Sequence, residues 1–262
     1  MKAEVIGLDG KKIKTIDLPE QFNEDYEPDL IKRAILAINS HGRQAYGTAY
    51  QAGMSHSAKL SRRRRNYKGS YGKGISRVPR KTMWRRGMQF GWVAANAPGT
   101  VGGRRAHPPK AQRIWDLKIN KKERKKAIRS ALSGAVLNSQ LLIIEDKIEN
   151  LKKIKDVKTV FTTLGLNITA KKIQRAGRGK SRGRGIKYSK NPLIVVAKKC
   201  DFINAVSNLP GYDVVDVKSL NAQLLTLGHD KIRKCIFTES AVSTIGKEKL
   251  FSGDKKWKTV IK

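Results

Sequence analysis

The central part of the chain contains no acidic side chain: none occurs between Asp29 and Asp116, although that stretch carries nineteen lysines and arginines. Ten glycines interrupt residues 43–113, and no helical or strand periodicity persists there. Such a segment buries too little apolar area to offset a backbone entropy of roughly 1–2 kcal/mol per residue. The net charge of +35 adds self-repulsion. Residues 43–113 are therefore predicted to form a long irregular loop that only a polyanionic partner orders.

A second basic segment lies between Asp156 and Asp201, which enclose twelve lysines and arginines and no acidic residue. By contrast, the first 29 residues hold eight Asp and Glu side chains. Mixed-charge folded parts thus alternate with strongly basic ones. We predict one α/β domain spanning residues 1–262, interrupted by an extended basic loop at 43–113 and carrying a second basic loop at 171–190.

Aromatic residues interleave with the cations of the first basic loop, unlike in disordered solvating tails, which are poor in aromatics. Rings and guanidinium planes stack on unpaired bases, while the charges hold phosphates. RNA is therefore the favoured partner, although a solvated face explains Arg62–Arg65 equally well if that run is taken alone. An anionic membrane is disfavoured, because no basic amphipathic helix and no apolar run of about 20 residues is evident.

Outside the basic loops, strand and helix patterns alternate. A hairpin turning at Asp9-Gly10 precedes a helix that opens at Pro28 and stops at Gly42. Further helices are predicted at 121–137, 147–164, 202–209, 220–227 and 240–250, and strands at 193–197, 212–217 and 232–237, while 140–144 is a short apolar run. Short β-branched strands separated by short helices imply parallel pairing. The predicted fold class is α/β: a mostly parallel sheet covered by helices, with a long irregular basic loop.

Catalytic and metal-binding patterns are missing from the sequence. Gly179-Lys180-Ser181 matches the end of a phosphate-binding loop, but Gln174 stands where that motif requires glycine. The basic loops hold no carboxylate to serve as general base or to bind catalytic magnesium. The four histidines form no cluster with metal-ligand spacing; they are His41, His56, His107 and His229. We therefore predict no catalytic residue, no metal site and no cofactor.

The two cysteines, Cys200 and Cys235, are far apart, and each lies in an apolar, strand-like run. Buried free thiols are favoured over a disulfide, which indicates a reducing, cytosolic compartment. Residues 1–10 contain Glu4 and Asp9 and lack the apolar core of a signal peptide.

Taken in order along nearly the whole chain, five segments resemble the universal large-subunit ribosomal protein four family in its archaeal and eukaryotic form. They are His41–Gly47, Gly72–Arg80 with its Arg-x-Pro-Arg ending, Gly102–Lys110, the helix Lys121–Leu132, and Leu220–Lys231 with its Leu-Asn, Leu-Leu and His-Asp-Lys groups. Each segment is weak by itself, but the ordered set is specific.

This resemblance implies a structural constituent of the large ribosomal subunit that binds ribosomal RNA and aids subunit assembly in the cytoplasm. It implies that residues 43–113 penetrate the RNA and that their tip, at about 77–92, reaches the wall of the nascent-chain exit tunnel. The implied partners are ribosomal RNA, neighbouring proteins including another tunnel-constriction protein, and the passing nascent peptide. No membrane, small-molecule substrate or enzymatic activity is implied.

The candidate RNA-binding residues are the cations of the first basic loop and five cations of the second. They are Arg43, Lys59, Arg62, Arg63, Arg64, Arg65, Lys68, Lys73, Arg77, Arg80, Lys81, Arg85, Arg86, Arg104, Arg105, Lys110, Arg113, Arg175, Arg178, Lys180, Arg182 and Arg184. The tunnel-facing candidates are Met83, Met88 and Trp92, for which simple packing against RNA is an equal alternative.

Two other functions stay open. A free-standing RNA chaperone or chromatin-like protein would bind several nucleic acids rather than one subunit. An RNA-modifying enzyme would need a nucleotide or methyl-donor pocket at the carboxyl ends of parallel strands. The polar residues available there, Asn204, Asp213 and Ser219, are better explained as helix and turn residues.

Overall fold

The computed structural model describes residues 1–228 and 231–252, so His229 and Asp230 of the last family-like segment lie outside the described residues. The chain divides into two units. The α/β unit comprises Met1–Gly42 and the described part of Asp116–Lys262, and the basic unit comprises Arg43–Trp115.

The strands form one large sheet and two small hairpins. In chain order, the described strands are β1 (Lys2–Ile6), β2 (Lys12–Asp17), β3 (Arg80–Arg86), β4 (Gln89–Ala94), β5 (Leu141–Ile144), β6 (Lys172–Gln174), β7 (Ile186–Tyr188), β8 (Leu193–Val196), β9 (Asp213–Asp216) and β10 (Cys235–Thr238). The large sheet has the order β2-β1-β5-β10-β8-β9. Only the β1–β2 pair is antiparallel, which confirms the predicted mostly parallel α/β fold.

Helices cover both faces of this sheet. The described α-helices are α1 (Pro28–His41), α2 (Lys121–Leu137), α3 (Ile154–Thr163), α4 (Arg178–Ser181), α5 (Asp201–Ser207) and α6 (Glu239–Lys247). Since strand side chains alternate between faces, Leu193 and Val195 of β8 pack with α1, α2 and α6, whereas Ile194 and Val196 pack with α3 and α5. The result is two apolar cores separated by the sheet.

The predicted helix at 147–164 is wrong in its first part. A 3₁₀-helix at Asp146–Asn150 precedes α3, and extended backbone separates them. The carboxylate of Glu149 accepts hydrogen bonds from the Ala197 amide at 3.0 Å and the Thr238 hydroxyl at 2.7 Å. Asp146 accepts one from the Ser240 amide at 2.7 Å. These contacts hold the turn against the carboxyl ends of β8 and β10, and local periodicity does not reveal them.

The predicted helix at 220–227 does not form. A 3₁₀-helix at Val217–Ser219 is followed by a single turn. The Asn221 side chain accepts a hydrogen bond from the Leu224 amide at 2.9 Å. This bond substitutes for one to a backbone acceptor and disfavours helix continuation. The Leu225 carbonyl accepts a hydrogen bond from the Arg233 amide at 2.8 Å. Leu220 and Leu225 are thus buried in an irregular segment rather than in a helix, and Leu227 is exposed.

The basic unit contains one regular element, the antiparallel hairpin β3–β4, where the sequence predicted none. Its two-residue turn begins with Gly87 at φ +56°, an arrangement typical of a type II′ turn. The run of cations in β3 conceals the strand alternation. The second basic loop likewise contains a short hairpin, β6–β7, whose tip carries the one-turn helix α4.

Candidate nucleic-acid interface

An aromatic row supports the β3–β4 hairpin. The Phe90 ring lies 5.1 Å from the Tyr67 ring and 5.2 Å from the Trp92 ring, both edge to face. The Lys73 ammonium lies 5.5 Å and 5.6 Å from the Phe90 and Trp92 centroids. The Arg80 guanidinium lies 5.7 Å over Trp92. The rings therefore stabilise the positions of the cations, as cation–π contacts do.

A second aromatic cluster lies where the basic unit begins and ends. The rings of Tyr46 and Trp115 are 4.9 Å apart. The Arg43 guanidinium lies 4.4 Å from the Trp115 centroid, and that of Arg113 lies 5.6 Å from it. Two predicted RNA-binding arginines are thus brought together on one ring, although 70 positions separate them in the sequence.

The predicted RNA-binding cations are mostly exposed. Among the described residues, no ion pair involves any of the candidate cations between Arg43 and Arg113 or between Arg175 and Arg184. All of them are exposed except the half-buried Lys68, Arg80 and Lys81. Because no acidic side chain neutralises it, this surface has the electrostatics of a phosphate-binding interface.

The guanidinium of the half-buried Arg80 makes several contacts within the basic unit. It donates to the Ser76 carbonyl at 3.2 Å and to the Ser76 hydroxyl at 3.1 Å, in addition to its contact with Trp92. Its backbone pairs with Ala94 across the hairpin and with Lys59 in an isolated bridge. Arg80 thus joins the hairpin to the irregular segment before it.

The three tunnel-facing candidates have different surroundings. Met83 is the extra residue of a β-bulge and is 61% exposed. Met88, in the hairpin turn, is 93% exposed. Trp92 is half-buried and packs against Phe90 and the neighbouring cations. The two methionines are therefore the more accessible of the three.

Trp84, which the sequence did not single out for a role, covers Gly91 on the opposite strand. A Cβ at position 91 would lie 2.1 Å from the indole nitrogen of Trp84, so only glycine fits below this ring. The cross-strand pairing of Trp84 with Gly91 follows directly after the Met83 bulge. Bulges of this kind redirect side chains and recur beside functional sites.

The β6–β7 hairpin presents a second cluster of exposed cations. Positive φ angles at Gly177 and Gly183 shape its tip. The predicted cations there are all exposed; they are Arg175, Arg178, Lys180, Arg182 and Arg184. The Gly-Lys-Ser sequence lies in α4 and follows a short exposed strand rather than the buried strand that precedes a nucleotide-binding loop.

Sequence reasoning missed Arg233, a charged side chain with 1% exposure. Its guanidinium donates to Asp213 and to the carbonyls of Asn191, at 2.5 Å, and Gly211, at 2.8 Å. These acceptors precede or begin β8 and β9, so Arg233 holds two chain connections together. Its position in an apolar run was the one available signal.

The three polar residues considered for an enzymatic pocket are separated in the fold. Asn204 in α5 and Ser219 in a 3₁₀-helix line a cleft of about 460 Å³, together with Asp201 and Asp216. Asp213 instead begins β9 and is bound by Arg233. The cleft therefore lies at the carboxyl ends of β8 and the edge strand β9, without the third residue.

Both cysteines are free thiols. Cys235 is fully buried in β10, and burial raises its pKa to about 12. The expectation that both are buried is wrong for Cys200, which precedes α5 and is partly exposed; burial also raises its pKa, to a smaller extent. The helix that begins at Asp201 places this residue at the edge of the core rather than inside it.

Two further findings concern only the described part of the chain. No three His, Cys, Asp or Glu side chains there are grouped as metal ligands. None of the helices in that part combines the length and apolar character needed to cross a bilayer.

Comparisons with known proteins agree with the geometry. Residues 16–248 match the model of the Ribosomal protein L4/L1 family. Proteins named large ribosomal subunit protein uL4 are similar over nearly their full length. That of Nanoarchaeum equitans is 42% identical over 96% of this chain and 100% of its own. Those of Methanocaldococcus jannaschii and Archaeoglobus fulgidus are 42% and 40% identical, over 94% of this chain and 98% of their own.

Proposed function

Because the chain belongs to the Ribosomal protein L4/L1 family, we propose that it binds ribosomal RNA through its two basic segments and thereby helps to assemble the large subunit. The protein is a structural constituent of the large ribosomal subunit, as its full-length similarity to the archaeal uL4 proteins indicates. Its place in the cell is accordingly the ribosome.

One observation carries the RNA-binding proposal: the basic unit has many exposed cations and no carboxylate. Without a bound polyanion, these charges would repel one another. Against RNA each cation releases condensed counterions, and most contacts go to phosphates rather than to bases. The irregular backbone and its glycines allow close approach to the RNA.

We extend the proposal to the tip of the basic unit, residues 77–92. The exposed, apolar Met83 and Met88 lie here among cations, which suits a surface with RNA on one side and a passing peptide on the other. The tip would then form part of the exit-tunnel wall, beside another tunnel protein. The residues of the aromatic row would keep the hairpin rigid within the RNA.

Co-sedimentation tests the proposed function. Tagged full-length protein in cell lysate should migrate with large subunits in a sucrose gradient, in a one-to-one ratio to a known subunit protein. It should remain there through a high-salt wash. A free-standing RNA chaperone would instead spread across several RNA-containing fractions or leave in the wash, and that outcome would contradict the proposal.

An enzymatic role remains the weaker alternative, and the cleft beside Asn204 and Ser219 is where it would lie. We propose that this cleft binds neither a nucleotide nor a methyl donor. Its lining has one cation, Lys199, beside the carboxylates of Asp201 and Asp216, and it contains no glycine-rich phosphate loop. Addition of ATP or S-adenosylmethionine should therefore leave the thermal unfolding midpoint of the protein unchanged.

A further inference from the structure

Within the basic unit, the outgoing and returning segments of the chain touch backbone to backbone at two points. A Cβ at Gly47 would lie 2.5 Å from the Ala111 amide nitrogen. A Cβ at Gly53, where φ is +77°, would lie 2.6 Å from the Arg104 backbone. Side chains at either glycine would force the two segments apart.

Between these points the two segments separate around Tyr50. Successive turns, in which the Ala52 amide donates to Ala49 at 3.0 Å and the Met54 amide to Gln51 at 2.9 Å, direct the chain outward. The space beside Tyr50 forms two hollows of about 390 and 400 Å³. Thr48, Ala49, Tyr50, Pro108 and Lys110 line both, and Arg104 and Arg105 line the first.

Tyr50 differs from the other rings of the basic unit. Those of Tyr46, Tyr67, Tyr71, Phe90, Trp92 and Trp115 each contact a cation, and Trp84 covers Gly91. Tyr50 is 93% exposed, and no such contact to its ring occurs among the described residues. Its two faces are therefore available to an external planar group.

The surroundings of Tyr50 specify the chemistry of that group. Arg104, Arg105 and Lys110 provide positive charge beside the ring, and the basic unit contains no carboxylate to repel a phosphate. An unpaired nucleotide combines a planar base with a phosphate, and aromatic side chains bind unpaired bases by stacking. A base inside a double helix is already stacked and cannot enter a hollow.

We propose that Tyr50 is the stacking platform for one unpaired base of the ribosomal RNA, whose sugar-phosphate backbone is held by Arg104, Arg105 and Lys110. The proposal rests on the proposed function and adds to it the class of ligand, a single-stranded nucleotide. The two glycine contacts keep the hollows open by fixing the distance between the chain segments on either side of them.

Photo-crosslinking of intact large subunits, followed by mass spectrometry, gives the first test. Ultraviolet light should attach a nucleotide to Tyr50. Tyr46 is the matched control: it is 51% exposed, but its ring lies against Trp115 and Arg43. A crosslink from Tyr50 to a protein, or equal nucleotide crosslinking at Tyr46 and Tyr50, would overturn the proposal.

Variants of the full-length protein give the second test, with RNA extracted from large subunits as the probe. Tyr50→Leu should weaken binding roughly 5- to 150-fold, the equivalent of one lost stacking contact, without changing the salt dependence. Tyr50→Phe should bind as wild type. Arg105→Gln should reduce both affinity and the salt slope. In chemical probing of the RNA, one unpaired base should become reactive when the bound protein carries Tyr50→Leu, and it should stay protected by the wild-type protein and the other variants.

The two proposals fail in distinguishable ways. If Tyr50→Leu enters subunits normally, binds the RNA as wild type and exposes no base, the stacking site is wrong while the ribosomal role stands. If wild-type protein neither co-sediments with large subunits nor binds their RNA, the proposed function itself is wrong.

Discussion

At the scale of single residues, Arg233 has a structural role that the surface cations do not share. A buried guanidinium is tolerated only where its donors are satisfied, and Arg233 meets this condition through Asp213 and the carbonyls of Asn191 and Gly211. The Asn191 side chain in turn donates to the carbonyl of Asn167, at 3.4 Å. These bonds connect the residues that flank the second basic loop to the sheet.

Replacing Arg233 with methionine should therefore lower the free energy of unfolding by about 3 kcal/mol, because several partly buried acceptors lose their donor together. Lys234→Met is the matched control, since the neighbouring lysine is exposed, and should change stability by less than about 0.5 kcal/mol. Urea unfolding of both full-length variants measures the difference. Equal midpoints would show that Arg233 contributes no net stability.

The burial of Arg233 could not be predicted from the residues next to it in the sequence. Charge patterning identified the cations that remain exposed, because a run without acidic residues has nothing nearby with which to pair. The pairing of Arg233 with Asp213 depends on two strand ends meeting across twenty residues of sequence. The apolar run that holds Arg233 also holds the exposed Lys234, so the run alone does not show which of the two is buried.

At the scale of elements, strands and helices with strong apolar periodicity were predicted correctly, as in α1 and β8. The errors occur where polar side chains replace backbone hydrogen bonds, as Asn221 does in the segment predicted as a helix. The β3–β4 hairpin was missed for a different reason. Its stability comes from Tyr67, a residue outside the hairpin, and from cation–π contacts that hydropathy does not register.

The tip of this hairpin allows a test of the tunnel proposal that leaves the aromatic row intact. The double variant Met83→Ser and Met88→Ser removes two exposed apolar side chains, so stability should change by less than about 1 kcal/mol. Incorporation into subunits should be unchanged, whereas translation of arrest-prone nascent chains should change. Ribosome profiles and arrest-reporter assays give the two measurements.

Val101→Ser is the control for this variant, because Val101 is also 93% exposed and belongs to the basic unit outside the hairpin. It should alter neither incorporation nor arrest. Loss of incorporation in the methionine variant would indicate that the tip is mainly an assembly element. An unchanged arrest-reporter signal would show that the two methionines do not line the tunnel wall.

At the scale of the whole molecule, the α/β unit and the basic unit differ in whether their cations have carboxylates to pair with. The α/β unit pairs many of its cations with carboxylates, as Arg129 with Glu24 at 2.7 Å and Lys126 with Glu27 at 2.6 Å. The basic unit contains no carboxylate with which to do so. Composition alone therefore indicated a polyanionic partner, while the proposal that this partner is ribosomal RNA depends on the family to which the chain belongs.

This difference predicts which cations govern the salt dependence of RNA binding. If the basic unit neutralises ten phosphates, the log–log slope of affinity against salt should be about −7 to −9. Changing Arg62–Arg65 to glutamine should reduce its magnitude by roughly 3, since each unpaired arginine releases counterions. The control also makes four changes to glutamine, at exposed cations that each have a glutamate within 3.3 Å: Lys12, Lys14, Lys147 and Lys218.

The control removes the same formal charge but should leave the slope nearly unchanged, because these lysines already have anionic partners within the protein. Filter binding of the full-length variants to large-subunit RNA at several salt concentrations measures both slopes. Equal slopes for the two variants would mean that net charge, and not the unpaired cations of the basic unit, determines the affinity. Unequal slopes would assign the phosphate contacts to the segment without acidic residues.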